Sequence, residues 1–324
     1  MIRRGRARMI LTVTPNPSLD RTYEVPSLDR GAVLRATGDR VDPGGKGVNV
    51  SRAVAAAGFL TTAVLPLGGA SGTVIAELLG AQGVDVTAVT VAGQTRSNIS
   101  LVEPDGTLTK INAPGPELTA EESGLLLETV RTVTGDPAWV AACGSLPRGL
   151  APGWYADLIA CAHEAGAKVA LDTSGPALTA ALQARPDLIK PNAAELAQAV
   201  GRPLATLGEV ARAAQELRTR GAGAVLASLG ADGQLLVSAE GTFHGTAPVA
   251  AVRSDVGAGD ASLAGFLIAG GTGPAALASA LAHGAAAVQL PGSAMPVPAD
   301  LRPEAVRVSE NPPPDLRLSA PATP

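Results

Sequence analysis

Val256-Gly257-Ala258-Gly259-Asp260, followed by the apolar residues 261–270, is the most informative stretch of the sequence. Two glycines allow the backbone to curl, and a helix-forming segment begins where the curl ends. Backbone N–H groups converge in such a curl, and the helix N-terminus adds roughly half a positive charge. The stretch therefore predicts a phosphate pocket with Asp260 at its rim, as a base for an incoming hydroxyl. Taken alone, the same residues also fit a glycine-rich turn with Asp260 as an ordinary N-cap.

Composition excludes several classes of function. The chain has 324 residues, of which 46% are hydrophobic, and this suits a single α/β domain. A net charge of −4 and 2% aromatic residues argue against nucleic acid and anionic membranes as partners. The two cysteines lack metal or redox spacing, and no segment has the roughly 20 apolar residues of a membrane span. We therefore expect a cytoplasmic protein that binds neither nucleic acid nor membrane.

From residue 119 onward, helical patterns alternate with short β-branched runs. Helices are predicted at 119–133, 153–165, 177–184 and 209–219, leading to strands at 139–142, 169–172, 188–190 and 224–228. This alternation predicts a parallel sheet with helices on both faces, and ligands bind at the carboxyl ends of such strands. Polar residues follow these ends, although each also fits an ordinary turn: Ser145, Asp172, Lys190, Asn192 and Ser228.

A second glycine-rich cradle lies early in the chain. Gly44-Gly45-Lys46-Gly47 precedes a segment, 48–57, whose apolar residues recur with helical spacing. No Ser or Thr follows the lysine, so the motif is not a Walker P-loop. Residues 9–13 read as a buried strand, and Asp20 follows where its carboxyl end would open. This part of the chain therefore predicts a second anion-binding corner near the first.

The domain organisation follows from the ends of these patterns. A basic arm at 1–8 precedes a single domain at 9–308, and a Pro-rich tail at 309–324 is expected to be disordered. Segments at about 20–43 and 95–112 read as exposed strands, with Asp105-Gly106 as a hairpin turn.

Together these motifs resemble the ribokinase-like carbohydrate kinases, also called the phosphofructokinase B family. The similarity runs from about residue 11 to about 290 and keeps the order of the family's motifs. It includes both glycine motifs, Gly144-Ser145-Leu146-Pro147, Lys190-Pro191-Asn192 with Glu195, and Ser228-Leu229-Gly230. Thr14-Pro15-Asn16-Pro17-Ser18-Leu19-Asp20, Thr95-Arg96-Ser97-Asn98 and Asp172-Thr173-Ser174-Gly175 are similar to its phosphosugar branch. The resemblance implies a three-layer α/β/α fold with a mostly parallel central sheet and a small β lid.

The resemblance also implies the roles of residues around the reacting groups. Asp260 would be the base, and the amides of Gly257, Ala258 and Gly259 would form an anion hole. Burial would raise the pKa of Asp260 and the helix terminus would lower it, and the sequence leaves open which prevails. ATP would be bound by Lys190, Asn192, Glu195, Ser228, Gly230 and Gly233, with residues 282–286 beside the adenine. Asn192 and Glu195 would orient Mg²⁺ largely through water, although as a lone motif they mark a helix start more often.

On the acceptor side, the resemblance implies a phosphosugar site and a possible homodimer through the β lid. Its candidate residues are Asp20, Asn49 and Asn98 for hydroxyls, Gly44 and Gly45 for close approach of the sugar, Ser145, and the cations Arg35, Lys46 and Arg96 for the phosphate. One departure from the family pattern is Asp255, which follows Ser254 directly before the Val256 motif.

The implied reaction is ATP-dependent phosphorylation of a ketohexose monophosphate. Lys46 favours fructose 1-phosphate, giving fructose 1,6-bisphosphate, while tagatose 6-phosphate and fructose 6-phosphate are the close alternatives. A kinase of an unphosphorylated sugar or nucleoside, or a non-catalytic sugar-phosphate sensor, is more distant. A dehydrogenase is the weakest alternative, because Gly44-Gly45-Lys46-Gly47 does not match the dinucleotide fingerprint.

Overall fold

The computed structural model describes residues 9–133 and 139–323, so the basic arm at 1–8 lies outside the described residues. The helices are α1 Lys46–Ala56, α2 Gly69–Ala81, α3 Ala120–Val133, α4 Trp154–Glu164, α5 Gly175–Ala181, α6 Ala193–Val200, α7 Leu207–Thr219, α8 Ala258–Ile268 and α9 Gly273–Ala287. The first eight strands are β1 Ile10–Val13, β2 Ser18–Glu24, β3 Gly38–Gly44, β4 Thr61–Leu67, β5 Asp85–Thr90, β6 Arg96–Val102, β7 Leu108–Ile111 and β8 Trp139–Cys143. The others are β9 Lys168–Asp172, β10 Leu188–Ile189, β11 Leu204–Thr206, β12 Ala224–Ser228, β13 Gln234–Ser238, β14 Gly241–Thr246, β15 Arg307–Glu310 and β16 Arg317–Ala322. In the described part of the chain, no helix combines the length and apolarity needed to cross a membrane.

The central sheet is mostly parallel, as the sequence predicts. Its strand order is β15-β14-β13-β12-β10-β9-β8-β1-β4-β5, and the strands from β12 to β5 run parallel. β13, β14 and β15 add an antiparallel edge. The strands β1, β4 and β8 are buried along their whole length, which explains why they read as continuous apolar runs. The predicted α/β class is confirmed.

Helices cover both faces of this sheet and complete the three predicted layers. On one face α1, α8 and α9 bury Val54, Phe266 and Leu277. On the other face α4 and α7 bury Tyr155 and Val210, together with apolar residues of α3, α5 and α6. Because the helices occupy the faces, the loops at the strands' carboxyl ends remain free to form a site.

A separate four-stranded sheet, in the order β3-β2-β6-β7, occupies the segments expected for the lid. β2 pairs with β3 from Ser18 opposite Gly44 to Glu24 opposite Gly38, and with β6 from Ser18 beside Arg96. The end of this sheet at Ser18, Gly44 and Arg96 adjoins the central sheet, because a single residue, Gly45, separates Gly44 from the start of α1. Residues 32–37, which the sequence pattern places in a strand, instead form a loop before β3.

The described part of the Pro-rich tail, residues 309–323, is ordered, contrary to the expectation of disorder over 309–324. Its strand β16 pairs with β11, and Leu318 and Ala322 are 6% and 7% exposed within the core. The Ser319 amide and hydroxyl both donate to the Asp232 carboxylate, at 2.8 and 2.6 Å. Composition suggested disorder because prolines dominate the segment, but two buried apolar side chains and paired backbone are enough to dock it.

Candidate active site

The Val256 motif forms the turn that starts α8, a helix buried over most of its length. Gly257 is the N-cap with a φ of +78°, a conformation that suits glycine. Asp260 is therefore the third residue of the helix and not its N-cap, and it is only 8% exposed. A carboxylate in the first turn of a helix, facing a site at the sheet's carboxyl edge, matches the predicted position of the base.

The pKa of Asp260 rises to about 6, chiefly because the carboxyl is buried and secondly because the charge of Asp172 lies near it. Lys190, a hydrogen bond from Asn49 and Lys46 oppose this rise without cancelling it. Asn49 Nδ2 donates to Asp260 Oδ2 at 2.9 Å. The sequence left open whether burial or the helix terminus would dominate the pKa of Asp260, and burial dominates. A base whose pKa is near 6 is mostly ionised at neutral pH and still accepts a proton.

The predicted anion hole is only partly free. The Ala258 amide donates to the Asp255 carbonyl at 3.3 Å, so it is already used within the turn of the Val256 motif. Gly259 lies in the first helical turn, where N–H groups have no intrahelical acceptor. A Cβ placed on Gly259 would lie 3.2 Å from Lys190 Nζ, so the backbone there directly faces a cation. An anion at this helix start would therefore meet both an amide and an ammonium group.

Two lysines share one buried carboxylate beside Asp260. Lys46 Nζ donates to Asp172 Oδ1 at 2.7 Å, and Lys190 Nζ lies 2.9 Å from Asp172 Oδ2. Lys46 is also 3.5 Å from Glu195 Oε1. Burial is the largest single influence and would lower the pKa of each lysine, but the acidic neighbours together outweigh it and raise both, Asp172 most strongly, with Asp260 at both lysines and Glu195 at Lys46. The two ammonium groups are thus held charged at the sheet's carboxyl edge.

Asp172 is the functional residue that sequence reasoning missed. It was noted as a polar strand end and as part of a motif similar to the phosphosugar branch, but was given no role, whereas the structure places it fully buried between Lys46 and Lys190. Its position at the end of β9, beside the strand that leads to Lys190, was the available signal. That Lys46 would also reach it was not predictable, because the pair is separated by 126 residues.

Of the residues predicted to bind the acceptor, Asp20 and Asn98 form a polar network with Ser18. Asp20 Oδ1 accepts hydrogen bonds from Ser18 Oγ at 2.7 Å and from Asn98 Nδ2 at 2.9 Å. Burial raises the pKa of Asp20, against the effect of these bonds. A Cβ on Gly44 would lie 2.2 Å from Asp20 Oδ2, so any side chain at this position would displace the Asp20 carboxylate. Gly45 is the N-cap of α1 and directly precedes Lys46.

Arg96 lies at the same end of the lid sheet. Its Nη1 donates to the Ala113 carbonyl at 2.8 Å and its Nη2 to the Asn16 carbonyl at 3.1 Å. Its buried Nε has no hydrogen-bond partner within the described residues. Asn16 Nδ2 in turn lies 3.4 Å from Ser145 Oγ, which links Ser145 to this corner. The structure therefore brings Arg96 and Ser145 together at one corner, through Asn16.

Arg35 is the candidate that the structure does not bring to the site. It is exposed in the loop between β2 and β3, beyond the Glu24–Gly38 pair. The site lies at the opposite end of these strands, near Ser18 and Gly44, about 20 Å away at the rise of a β-strand. The sequence pattern placed Arg35 within a strand, and the longer loop is the reason for the difference.

Asn192 and Glu195 form the capping box of α6. Asn192 Oδ1 accepts the Glu195 amide at 2.8 Å, and Glu195 Oε2 accepts the Asn192 amide at 2.9 Å. The more common reading of this motif as a helix start is therefore correct. Oxygen atoms of this kind suit Mg²⁺, and contact through water would leave the capping box intact. Over residues 9–133 and 139–323, no group of three or more His, Cys, Asp or Glu side chains is arranged to hold a metal ion.

The expected nucleotide side is built from the end of β12 and from α9. Ser228 is half-buried beside Asn192, and Gly230 is exposed in the turn that follows. Gly233 has a backbone role, because a Cβ there would lie 2.0 Å from the Gly245 carbonyl on β14. Within 282–286, Gly284 and Ala285 are partly exposed whereas Ala282 and Ala286 are buried.

Comparison with known proteins identifies what the chain resembles. The family profile for pfkB family carbohydrate kinases matches residues 16–300. The 1-phosphofructokinase of Rhodobacter capsulatus is 39% identical over 283 residues, covering 85% of this chain and 90% of the relative. The ATP-dependent 6-phosphofructokinase isozyme 2 of Mycobacterium tuberculosis is 36% identical over 296 residues, covering 90% and 86%. The crystal structure of phosphofructokinase-2 from Escherichia coli in complex with potassium superimposes with a TM-score of 0.85 at 34% identity, covering 90% of this chain and 96% of that one.

Proposed function

The chain belongs to the pfkB family of carbohydrate kinases, and we propose that it transfers the terminal phosphoryl group of ATP to fructose 1-phosphate. The observation that carries this proposal is Asp260, a buried carboxylate in the first turn of α8 with Lys190 beside the same turn. A relative named 1-phosphofructokinase, 39% identical over 283 residues, supports the choice of acceptor. The family membership predicted from the sequence motifs is confirmed.

In the proposed reaction, Asp260 accepts the proton of the acceptor's hydroxyl. The hydroxyl oxygen then forms a bond to the terminal phosphorus, and the bond from that phosphorus to the bridging oxygen of ADP breaks. Little covalent chemistry is asked of the protein, so its main contributions are placement and charge stabilisation. The Lys190 ammonium lies close to the backbone of Gly259, so a cation and an amide of the first helical turn would both be near the developing charge.

ATP would lie along the turn after β12, with its phosphates directed toward Lys190 and the start of α8. Mg²⁺, when bound with the nucleotide, neutralises phosphate charge. Asn192 and Glu195 would contact it through water, in keeping with their use as helix caps. The Lys46–Asp172–Lys190 cluster already holds two ammonium groups at this place, so no rearrangement is needed to bring positive charge to the phosphates.

The acceptor would bind between α1 and the lid sheet. Asp20 and Asn98 offer hydrogen-bonding groups to sugar hydroxyls, and Gly44 lets the ring approach the backbone. Arg96 is our choice for the acceptor's phosphate because, of the other two predicted cations, Arg35 lies far from this corner and Lys46 is paired with Asp172. A lid that closes over the sugar would exclude water as a competing acceptor.

The test is an ADP-release assay with four acceptors: fructose 1-phosphate, fructose 6-phosphate, tagatose 6-phosphate and adenosine. We expect kcat/KM to be highest for fructose 1-phosphate. A preference for fructose 6-phosphate or tagatose 6-phosphate would move the protein to the corresponding activity of the same family. No turnover with any phosphosugar would contradict the proposal.

Arg96→Ala tests the phosphate contact separately. Loss of a charged hydrogen-bond partner should weaken acceptor binding by about 1.5–3 kcal/mol, roughly tenfold to a hundredfold in KM. The KM for ATP should change little, which serves as the internal control. An unchanged acceptor KM would remove Arg96 from the phosphate site.

We also propose that the lid sheet mediates a homodimer. β7 is an edge strand of this sheet, and it exposes Leu108 and Ile111 to 36% and 57%. Exposed apolar residues on an unpaired edge strand favour pairing with another chain. Ile111→Lys should therefore lower the mass measured by light scattering from dimer to monomer, and an unchanged mass would contradict the proposal.

A further inference from the structure

Arg52 is a buried charged residue of α1 to which the sequence motifs assign no role. It is 6% exposed, and its nearest carboxylate, Asp42, is 3.9 Å from Nη2. Neutral groups take its closer contacts: Nε donates to Gln82 Oε1 at 2.8 Å and Nη1 to Ser293 Oγ at 3.2 Å. Burying a guanidinium among neutral acceptors is costly, so the contacts that it makes require an explanation.

The most informative of these contacts joins Arg52 to Asn49, three residues earlier on the same helix. Arg52 Nη1 donates to Asn49 Oδ1 at 3.1 Å, and Asn49 Nδ2 donates to Asp260 Oδ2 at 2.9 Å. A guanidinium has donors only, so it accepts just one orientation of the Asn49 amide. With the oxygen turned to Arg52, the amide nitrogen must face Asp260. The reverse orientation would place an oxygen against the carboxylate.

We propose that Arg52 is a positioning residue for phosphoryl transfer: it fixes the Asn49 amide and, through that amide, the orientation of the Asp260 carboxylate. This rests on the proposed function, in which Asp260 is the base. One carboxylate oxygen is occupied by Asn49, so the other is the one left to receive the proton. The chain Arg52–Asn49–Asp260 therefore selects which oxygen faces the acceptor.

The same guanidinium also touches the segment that borders the acceptor. Its Nη1 lies 3.4 Å from the carbonyl of Pro43, the residue before Gly44 at the end of β3. Its contact with Ser293 reaches the loop after α9, in which Met295 packs against Gly257. Arg52 thus connects the lid strand, the sugar-side helix and the loop that supports the α8 turn.

Several charged groups face Asp260, and they must be separated from the effect of Arg52. They are Asp172 at the end of β9, Lys190 after β10, and Lys46 and Arg52 on α1, together with the thiol of Cys143 at the end of β8. Asp172 raises the pKa of Asp260, whereas Lys190, the Asn49 bond and Lys46 lower it. Loss of the Asn49 bond should therefore raise that pKa further.

The experiment is a double-mutant cycle with Arg52→Met, Asn49→Ala and the double variant. The readout is the pKa of Asp260, followed by NMR with the aspartate side-chain carboxyl carbons labelled and assigned by the signal lost in Asp260→Asn. Arg52→Met should raise this pKa by about one unit, the worth of one hydrogen bond to a charged group. In the Asn49→Ala background, Arg52→Met should add little, because its effect passes through Asn49.

Two further variants separate positioning from general support of the fold. Arg52→Lys keeps a donor-only cation and should leave the pKa close to that of the wild type. Val54→Ala creates a cavity in the same helix without touching Asn49, so it should lower thermal stability and leave the pKa in place. In assays, Arg52→Met should lower kcat about tenfold while the acceptor KM stays within about threefold.

An unshifted pKa in Arg52→Met, or a shift of equal size in the Asn49→Ala background, would overturn the inference. If Arg52→Met does not fold, Arg52→Leu replaces it, because leucine likewise offers no donor to Asn49 Oδ1 and should give the same rise. The NMR titration needs no substrate. An inactive wild-type enzyme would therefore contradict the proposed function alone, and an unshifted pKa would contradict the role of Arg52 alone.

Discussion

Asp172 and Asp260 are two buried carboxylates of the same site with opposite properties. Asp172 is fully buried at the end of β9, and Asp260 is 8% exposed in the first turn of α8. The pKa of Asp172 is lowered from its ordinary value, whereas the pKa of Asp260 is raised to about 6. Residue type and burial are nearly the same, so the difference comes from the neighbours.

The neighbours differ in charge. Burial would raise the pKa of Asp172, but ammonium groups of Lys190 and Lys46 on either side outweigh it. At Asp260 burial acts in the same direction as the negative charge of Asp172, and the lysines and Asn49 offset them only in part. One carboxylate therefore remains charged as a support for two cations, while the other is free to exchange a proton. Such a separation of two pKa values supports the proposal that Asp260 is the base.

The largest effect should come from Asp260→Asn. An amide cannot accept the proton, so kcat should fall by about a thousandfold with fructose 1-phosphate as acceptor. Single-turnover kinetics would measure the loss in the chemical step, and fluorescence titration would show that ATP still binds. A turnover near that of the wild type would contradict the assignment of the base and, with it, the contrast between the two aspartates.

The sequence predicted one side of this contrast and not the other. Asp260 was predictable because a glycine turn, a helix start and an acid stand together within five residues. The alternating pattern likewise predicted the parallel sheet and the edge where Lys190 and Ser228 lie. Local signals of this kind depend on backbone propensity and spacing, which a sequence displays directly.

The remainder depends on contacts between distant parts of the chain. Lys46 and Asp172 are 126 residues apart, so their ion pair leaves no local pattern. Arg35 was placed in the site through the family resemblance, and the tail was read as disordered because it is rich in proline, whereas the structure puts Arg35 in an exposed loop and docks the tail through Leu318 and Ala322. Such features are set by tertiary packing, which overrides composition and propensity.

The second effect concerns stability, and its sign should differ between the two aspartates. Asp172→Asn leaves the buried Lys190 ammonium without its carboxylate and should destabilise the fold by about 3 kcal/mol at pH 7. Asp260→Asn removes a carboxylate whose ionisation opposes folding and should stabilise it by about 2 kcal/mol. Urea unfolding of both variants beside the wild type measures the difference.

The dependence on pH gives the control for these stability changes. Folding raises the pKa of Asp260 from 3.8 to about 6, so the folded protein binds a proton there more tightly than the unfolded chain does. Its contribution to stability is thus full below pH 3.8 and is lost as the pH rises through about 6. The contribution of Asp172 to stability depends on pH in the opposite way. Because the pKa of Asp172 is lowered, its ionised form stabilises the fold above the ordinary aspartate pKa, and this stabilisation is lost in acid. Equal and same-signed changes in the two variants would contradict this account.

The third effect is on the pH dependence of activity. The kcat/KM of the wild type should fall about tenfold per pH unit below pH 6, as Asp260 takes up a proton. Asp172→Asn removes the charge that raises this pKa, so the falling limb should move to lower pH by about one unit. Initial rates measured in a series of buffers at constant ionic strength test this. A limb that stays in place would mean that the two carboxylates do not interact.

The smallest effect should distinguish the two lysines. Both lower the pKa of Asp260, and Lys190 does so more strongly than Lys46. The Lys190 side chain is 7% exposed and that of Lys46 38% exposed, so solvent screens Lys46 more effectively. Lys190→Met should therefore move the acidic limb of kcat/KM upward by less than about one unit, and Lys46→Met by a smaller amount. Equal shifts would show that burial does not set the strength of these charges, and a larger shift from Lys46→Met would identify Lys46 as the cation closest to the base.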